Sequence, residues 1–278
     1  MHSISILKRA IAPAGAAVFV SVSLLFAQDE CLEKGTALFG QKKYKKVIMT
    51  LKKCDSSPKA SQLLGISYYE LNYMEEAKEY LKKAIAESPE NMDIKIRYAT
   101  AFARNRQFKK AVEEFRKLVE TYPDNRDVRA GYAQALGWNR KYDQAIEEYQ
   151  ALLEKDPRDF ESWIQLGIIT SWDKKFKEAV DIYKAICTAQ PSEKHEIDAR
   201  LNLAEVLSWM KQFDESIAEY DKVIALAPKD ARGFMGKGKV LEWQGKYKAA
   251  IRIYEQALQA DPGNKDAQAR LQQLMWVK

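Results

Sequence analysis

The sequence is poor in the residues that build catalytic and metal centres. Its 278 residues include two histidines and three cysteines. No histidines and cysteines stand at the short spacings used by zinc sites. A glycine-rich phosphate-binding loop is also missing. These absences exclude the common sequence signatures of metalloenzymes and nucleotide-binding enzymes, and we expect neither a metal nor another cofactor.

Only one histidine, His195, lies outside the N-terminal segment, and we expect it in a polar surface loop. A Ser-His-Asp or Cys-His site would have to use this residue, yet no nucleophile is tied to it by a motif. The paired carboxylates Glu113-Glu114 and Glu147-Glu148 stand near lysines, as on solvated helix surfaces. We therefore predict that the protein is not an enzyme.

Glycine and proline are scarce as well, with 12 and 8 residues that no stretch concentrates. No flexible linker is visible, so we expect one continuous body. The formal net charge of +6 arises from acidic and basic residues that are intermixed along the chain. Nucleic-acid-binding proteins usually gather their basic residues on one face. We therefore expect no nucleic-acid partner.

The N-terminal segment has the three parts of an export signal. Lys8 and Arg9 form a short basic start, residues 11–26 carry no charge, and Ala27 supplies a small residue before a polar turn. The apolar run is shorter than the roughly 20 residues of a membrane-spanning helix. We predict a signal peptide at 1–27 and a periplasmic location, with membrane contact only through this peptide or a partner. An uncleaved membrane anchor is the alternative.

The rest of the chain is dominated by a repeated pattern. Each copy carries a small residue, then a second position twelve residues later that is small in most copies. An aromatic residue precedes this second position by three in most copies, and a large residue follows it by four. Apolar residues at three- and four-residue spacing predict one helical hairpin per copy. The first small residues are Gly35, Gly65, Ala99, Ala133, Gly167, Ala204 and Gly238.

This pattern resembles the tetratricopeptide repeat, whose period is about 34 residues. The resemblance covers nearly the whole chain after residue 27. It implies an all-α fold, a right-handed superhelical α-solenoid of about seven hairpins with a capping helix at 265–278. We expect a longer loop near residues 192–196, where the fifth repeat has three extra residues. We assign the single solenoid to 28–278, with repeats at 28–57, 58–91, 92–125, 126–159, 160–196, 197–230 and 231–264.

Tetratricopeptide domains capture peptides or partner proteins in a groove lined by their first helices. The resemblance therefore implies a non-enzymatic scaffold with a protein or peptide partner in the bacterial cell envelope. Repeats four to seven also resemble periplasmic repeat scaffolds of exopolysaccharide export machines. A glycan-binding module of such a system is the alternative function.

Four tryptophans occupy one repeat position, five residues after the first small residue. A helix turns about 100° per residue, so this position points away from the core-facing residues and toward the groove. Indoles offer flat apolar faces with an N–H donor, which suit peptide side chains and sugar rings. The alternative is that each indole packs against the next repeat, since the position is close to the helix end. The candidate groove residues are Trp138, Trp172, Trp209 and Trp243.

Three polar residues complete the candidate groove. Arg104 holds the tryptophan position in the third repeat, and Arg97 and Asn202 share a nearby position in the third and sixth repeats. We predict that they contribute polar contacts along the same wall.

The cysteines allow one bridge. Cys31 falls near the start of the first helix of the first repeat, and Cys54 falls near the end of the second helix. Antiparallel helices bring such ends together, and exported proteins form disulfides. The alternative is that both are buried apolar thiols. We expect Cys187 to be unpaired in the core.

The export signal makes a first prediction. If residues 1–27 are removed on export, mass spectrometry of protein isolated from its native cells should find an N-terminus at or near Gln28. A full-length product retained in the cytoplasm would contradict the assignment, and a full-length product in the membrane fraction would favour the anchor.

Overall fold

The computed structural model describes residues 29–53 and 57–274. The regular structure in this part of the chain is entirely helical. None of its helices combines the length and apolar character that crossing a bilayer requires. The export signal predicted at 1–27 and the cysteine at position 54 lie outside the described residues.

Fifteen helices follow one another along the described residues. Short turns join them in pairs, and helices that are neighbours in sequence pack together, as α3 does with α4 and α11 with α12. The all-α fold predicted from the repeat is confirmed. The helices are α1 (29–40), α2 (Tyr44–Leu51), α3 (Pro58–Glu70), α4 (Met74–Glu87), α5 (Met92–Arg104), α6 (Phe108–Thr121), α7 (Arg126–Trp138), α8 (Tyr142–Lys155), α9 (Phe160–Trp172), α10 (Phe176–Thr188), α11 (Glu193–Trp209), α12 (Phe213–Leu226), α13 (Ala231–Trp243), α14 (Tyr247–Ala260) and α15 (Lys265–Leu274).

The chain divides between Gly131 and Tyr132 into two compact units. We call the part up to Gly131 unit 1 and the part from Tyr132 unit 2. In unit 1 the first helices α3 and α5 contact each other, and in unit 2 the first helix α11 contacts both α9 and α13. Successive first helices therefore form a continuous surface in each unit. The domain limits assigned from the sequence stay a prediction.

Each hairpin turns on a residue with left-handed backbone geometry, seven positions after the first small residue. In the turn after α11, the N–H of Lys211 donates to the carbonyl of Ser208, and the N–H of Gln212 donates to the carbonyl of Leu207. This is the Schellman motif, which ends many helices. Its left-handed backbone conformation costs least when the residue is glycine. Only one of these positions holds glycine. The residues are Lys42, Asn72, Arg106, Arg140, Lys174, Lys211 and Gly245.

The small residues leave room for a large side chain of a second helix to pack against a first helix. A β-carbon added at Gly167 would lie 2.6 Å from the ring of Tyr183, which no real contact allows. Both Tyr183 and Ala204 are fully buried. Ser216 replaces the alanine that most copies carry at the second position, and its hydroxyl donates to the carbonyl of Ala204 at 2.7 Å. That hydrogen bond lets a polar side chain remain fully buried there.

The loop expected near residues 192–196 is wrong. Ser192 caps α11 by accepting a hydrogen bond from the N–H of His195, and Glu193 and Glu196 lie in the first turn. A capping serine and early acidic residues both favour a helix start. The extra residues of the fifth repeat therefore fall in helix rather than in a loop: α11 is 17 residues long, and His195 lies in its first turn.

The cysteines are accounted for in part. Cys31 is disulfide-bonded, and its sulfur lies 3.4 Å from the carbonyl oxygen of Thr50 near the end of α2. Because Cys54 lies outside the described residues, the pairing of Cys31 with Cys54 stays a prediction. Cys187 is free and packs, half-buried, against the core around Tyr183.

The hairpin turns generate a second prediction. Lys211→Gly should raise the free energy of unfolding by about 0.5–1 kcal/mol, because glycine removes the steric cost of a positive φ at a small entropic penalty. Denaturant unfolding would measure the change.

Lys184→Gly is the matched control, since Lys184 is exposed inside α10. It should lower the free energy of unfolding by about 1 kcal/mol, as glycine does in helix interiors. Equal losses for both variants would contradict the role of the turn.

Candidate ligand groove

One set of repeat positions forms a stripe along each first helix in unit 2. It carries the residues two before, one after and five after the first small residue, which fall within about 60° at 100° per residue. We call this surface the ligand face. Its residues are Gln165, Ile168 and Trp172 on α9, Asn202, Glu205 and Trp209 on α11, and Gly236, Lys239 and Trp243 on α13.

A cavity of about 580 Å³ opens on the ligand face where α11, α13 and α15 come together. We call it the C-terminal cavity. Asn202 and Glu205 line it from α11, Lys239 from α13 and Arg270 from α15. The cavity therefore combines amide, carboxylate, ammonium and guanidinium groups in one recess.

Two tyrosines from the second helices reach the same cavity. The ring of Tyr220 passes so close to Gly236 that an added β-carbon would lie 2.2 Å from it and 2.8 Å from the hydroxyl oxygen. Tyr254 passes Gly238 in the same way, and its hydroxyl donates to the carboxylate of Glu242. Burial is the main cause that raises the pKa of both hydroxyls. The rings belong to the core and their hydroxyls border the cavity.

The two arginines of the C-terminal cavity are paired inside the protein. Arg232 makes ion pairs with Asp198 at 2.9 Å and with Asp230 at 2.7 Å. Its guanidinium lowers the pKa of Asp230 through their hydrogen bonds. Arg270 lies 3.7 Å from the carboxylate of Glu242. These guanidinium groups are therefore partly satisfied before any ligand arrives.

The four tryptophans are each the last residue of a first helix. Trp138 is half-buried, whereas Trp172, Trp209 and Trp243 are 40%, 42% and 47% exposed. Their covered sides contact neighbouring side chains: the ring of Trp209 lies 6.0 Å from that of Phe176. Trp209 is therefore partly covered by a residue of the preceding repeat, while 42% of its surface is exposed. Their role in a groove stays a prediction.

The predicted arginines, Arg97 and Arg104, lie in unit 1, and both contact the ring of Tyr69. The guanidinium carbons of Arg104 and Arg97 lie 4.0 Å and 5.4 Å from the ring centre of Tyr69. Arg97 also makes ion pairs with Glu70 and Asp93, both at 2.8 Å. These contacts tie α3 to α5. Asn202, the third polar candidate, lies in unit 2 and lines the C-terminal cavity.

Comparison with protein families decides the identity of the fold. Two models of the family described as "Tetratricopeptide repeat" match the chain, one at residues 69–121 and 103–166 and the other at 198–265. The chain belongs to the tetratricopeptide repeat family. No curated protein matches it in sequence.

Solved structures of other tetratricopeptide repeat proteins share the fold. A tetratricopeptide repeat protein from Parabacteroides merdae is 16% identical, covers 90% of this chain over 99% of its own length, and superposes with a TM-score of 0.70. PilF of Pseudomonas aeruginosa is 20% identical over 80% of this chain and 97% of its own, with a TM-score of 0.54. The Cut9–Hcn1 structure is 15% identical over 89% of this chain and 46% of its own, with a TM-score of 0.55.

Asn202, a candidate from the sequence, lines the C-terminal cavity, and its role in a groove stays a prediction; Glu205, Tyr220 and the cavity itself were not predicted from the sequence. Two signals were available. Glu205 directly follows a first small residue, and Gly236 stands two residues before one. The second glycine marks the place where the ring of Tyr220 passes between α11 and α13. In this tetratricopeptide repeat protein the C-terminal cavity is bordered by aromatic rings that pass close to glycines.

The glycine contact makes a third prediction. Gly236→Ala should lower the free energy of unfolding by about 1–3 kcal/mol, because the new methyl group overpacks the ring of Tyr220. Denaturant unfolding followed by circular dichroism would measure this.

Gly40→Ala is the control, since an added β-carbon there meets nothing within 4 Å. It should leave stability unchanged or raise it by about 0.4–1 kcal/mol. A Gly236→Ala protein as stable as the parent would show that the ring does not need the glycine.

Proposed function

We propose that this tetratricopeptide repeat protein is a non-catalytic scaffold that binds a protein or peptide partner along the ligand face of unit 2. The observation that carries the proposal is the C-terminal cavity, whose polar groups lie beside exposed indoles on the same helix faces. Members of this family generally act as scaffolds rather than as catalysts, which supports the non-enzymatic part.

The exposed indoles and the polar C-terminal cavity would make different contacts with a bound polypeptide. Half-exposed indoles on successive first helices provide apolar anchors, and large aromatic side chains contribute most of the energy at protein interfaces. The cavity adds hydrogen-bond donors and acceptors that can fix the register of a bound chain. An extended or helical segment lying across α9, α11 and α13 would meet both.

We further propose that binding takes place in the periplasm, after removal of the signal peptide predicted at 1–27. The disulfide at Cys31 supports an oxidising compartment, because disulfides rarely persist in the cytosol. The partner would then be another protein of the cell envelope.

One observation favours a second candidate, the binding of a glycan chain. Three indoles at one repeat position keep 40–47% of their surface exposed, and flat aromatic faces stack on sugar rings. A glycan extending along successive repeats would use each indole in turn. This alternative matches the resemblance to scaffolds of exopolysaccharide export.

Site-specific photocrosslinking in intact cells tests the proposal. A photoreactive amino acid at Lys239, which is exposed on the ligand face, should give a discrete protein adduct identifiable by mass spectrometry. The same group at Lys184, exposed on the second helix α10, is the control and should give none. A saccharide adduct at Lys239 would favour the glycan candidate, and equal adducts from both positions would contradict a specific groove.

The tryptophans make a fourth prediction. Trp172→Ala and Trp209→Ala should each weaken the Lys239 adduct about tenfold, because removing one anchor of about 1.4 kcal/mol changes affinity by that factor. Thermal unfolding should change little, since about two-fifths of each indole is already exposed.

The packing alternative predicts a different outcome. If these substitutions cost about 3–5 kcal/mol, as truncations of buried aromatic residues do, the indoles are structural spacers. Their assignment to the groove would then be wrong.

A further inference from the structure

Glu205 stands out in the C-terminal cavity because its carboxylate is half-buried and has no partner among the described residues. It lies half-buried on the ligand face of α11, and within residues 29–53 and 57–274 it makes no hydrogen bond and no ion pair through its side chain. A carboxylate held partly out of water without a counter-charge is unfavourable. A ligand that supplies donors or positive charge would relieve that cost.

The hydroxyl of Tyr220 is a second unsatisfied group in the same place. The residue is 6% exposed, it lines the cavity, and its hydroxyl has no hydrogen-bond partner among the described residues. Gly236 admits the ring so closely that the hydroxyl has a fixed position. Because Tyr220 lines the cavity, its hydroxyl is available to a ligand there.

The negative charge of Glu205 acts on this hydroxyl. Burial is the largest cause that raises the pKa of Tyr220, and the negative charge of Glu205 is the second. The same charge also raises the pKa of Tyr183. The hydroxyl of Tyr183 is itself buried without a partner. The carboxylate therefore lies near two phenols that cannot neutralise its charge.

The basic residues around the cavity do not neutralise it either. Arg232 is held by Asp198 and Asp230, and Arg270 is next to Glu242. The ammonium of Lys239 lies over the ring of Trp243, 5.1 Å from its centre. The positive charges that could have paired with Glu205 are therefore directed elsewhere.

We propose that Glu205 and the hydroxyl of Tyr220 form a subsite for a basic side chain of the bound partner, an arginine guanidinium or a lysine ammonium. The proposal rests on the scaffold function above and names what the C-terminal cavity selects. A guanidinium has five N–H donors in a planar fork that matches a carboxylate. The phenol oxygen and the amide oxygen of Asn202 can accept the remaining donors. Arginine is therefore the preferred residue.

The charge arrangement disfavours an anionic group at this subsite. An acidic side chain or a phosphate entering here would face Glu205, while the two nearby guanidinium groups are already engaged by carboxylates. Charge-assisted hydrogen bonds between guanidinium and carboxylate are shorter and stronger than neutral ones. Specificity would come from the repulsion of acids as well as the attraction of bases.

A pair of small probes tests the subsite directly. Nα-acetyl-arginine methylamide and its citrulline counterpart have the same shape, but only the first is charged. Titration of each into the purified protein, followed by NMR, should show saturable binding of the arginine probe and at least tenfold weaker binding of the citrulline probe. Absence of a saturable response to the arginine probe would overturn the proposal.

Substitutions in the cavity test which residues bind the arginine probe. Glu205→Gln keeps the shape and removes the charge, so the arginine probe should bind at least tenfold more weakly and the preference over citrulline should vanish. Tyr220→Phe should weaken binding severalfold. Glu255→Gln, on the exposed surface of α14, makes the same change in net charge and should have no effect. Equal binding by the parent and Glu205→Gln would also overturn the proposal.

The crosslinking experiment separates this proposal from the scaffold function. If the Lys239 adduct forms equally well in Glu205→Gln and the arginine probe shows no preference, the subsite is wrong and the scaffold function stands. If no adduct forms at Lys239 in the parent protein, the scaffold function fails, even where the arginine probe binds.

Discussion

The structure depends on close approach between helices at the first small residue of each repeat. A single helical hairpin cannot bury both of its faces, so neighbouring hairpins must share a core. At Gly167 and Gly238 the space that a β-carbon would need is filled by a tyrosine ring from a second helix, and Gly236, two residues before Gly238, meets a tyrosine ring in the same way. Larger residues there would push the helices apart. The small residues of the repeat therefore recur where a helix and a large side chain must approach closely.

That constraint also builds the candidate site. Because Tyr220 and Tyr254 pass between first helices, their rings stabilise the core while their hydroxyls reach the C-terminal cavity. The same residues thus pack in the core and border the cavity. In the first repeats, leucine and phenylalanine take this place at Leu51, Leu81 and Phe115. Those side chains carry no hydroxyl, so they can only contribute to packing.

Charge is distributed differently in the two units. In unit 1, Arg97 and Arg104 cover the ring of Tyr69, and Arg97 is held by two carboxylates. In unit 2, the arginines of the cavity are held by carboxylates from neighbouring helices, and Glu205 is left without a counter-charge. Surface ion pairs of this kind contribute little to stability. Their effect here is to leave one acceptor open on the ligand face.

The sequence by itself determined the fold, because the spacing of small, aromatic and large residues repeats in several copies and this spacing predicts a helical hairpin in each copy. It also identified the position of the tryptophans at the ends of first helices. It could not determine how far each indole is covered, since that depends on contacts such as Trp209 with Phe176 from different helices. Residues 192–196 were predicted to form a loop because the segment is polar. In the structure Ser192 caps α11, and the polar residues that follow it form the first turn of that helix. Only the tertiary structure showed that the side chain of Glu205 has no partner among the described residues and lines the same cavity as Tyr220, because pairing depends on distances between helices that sequence spacing does not measure.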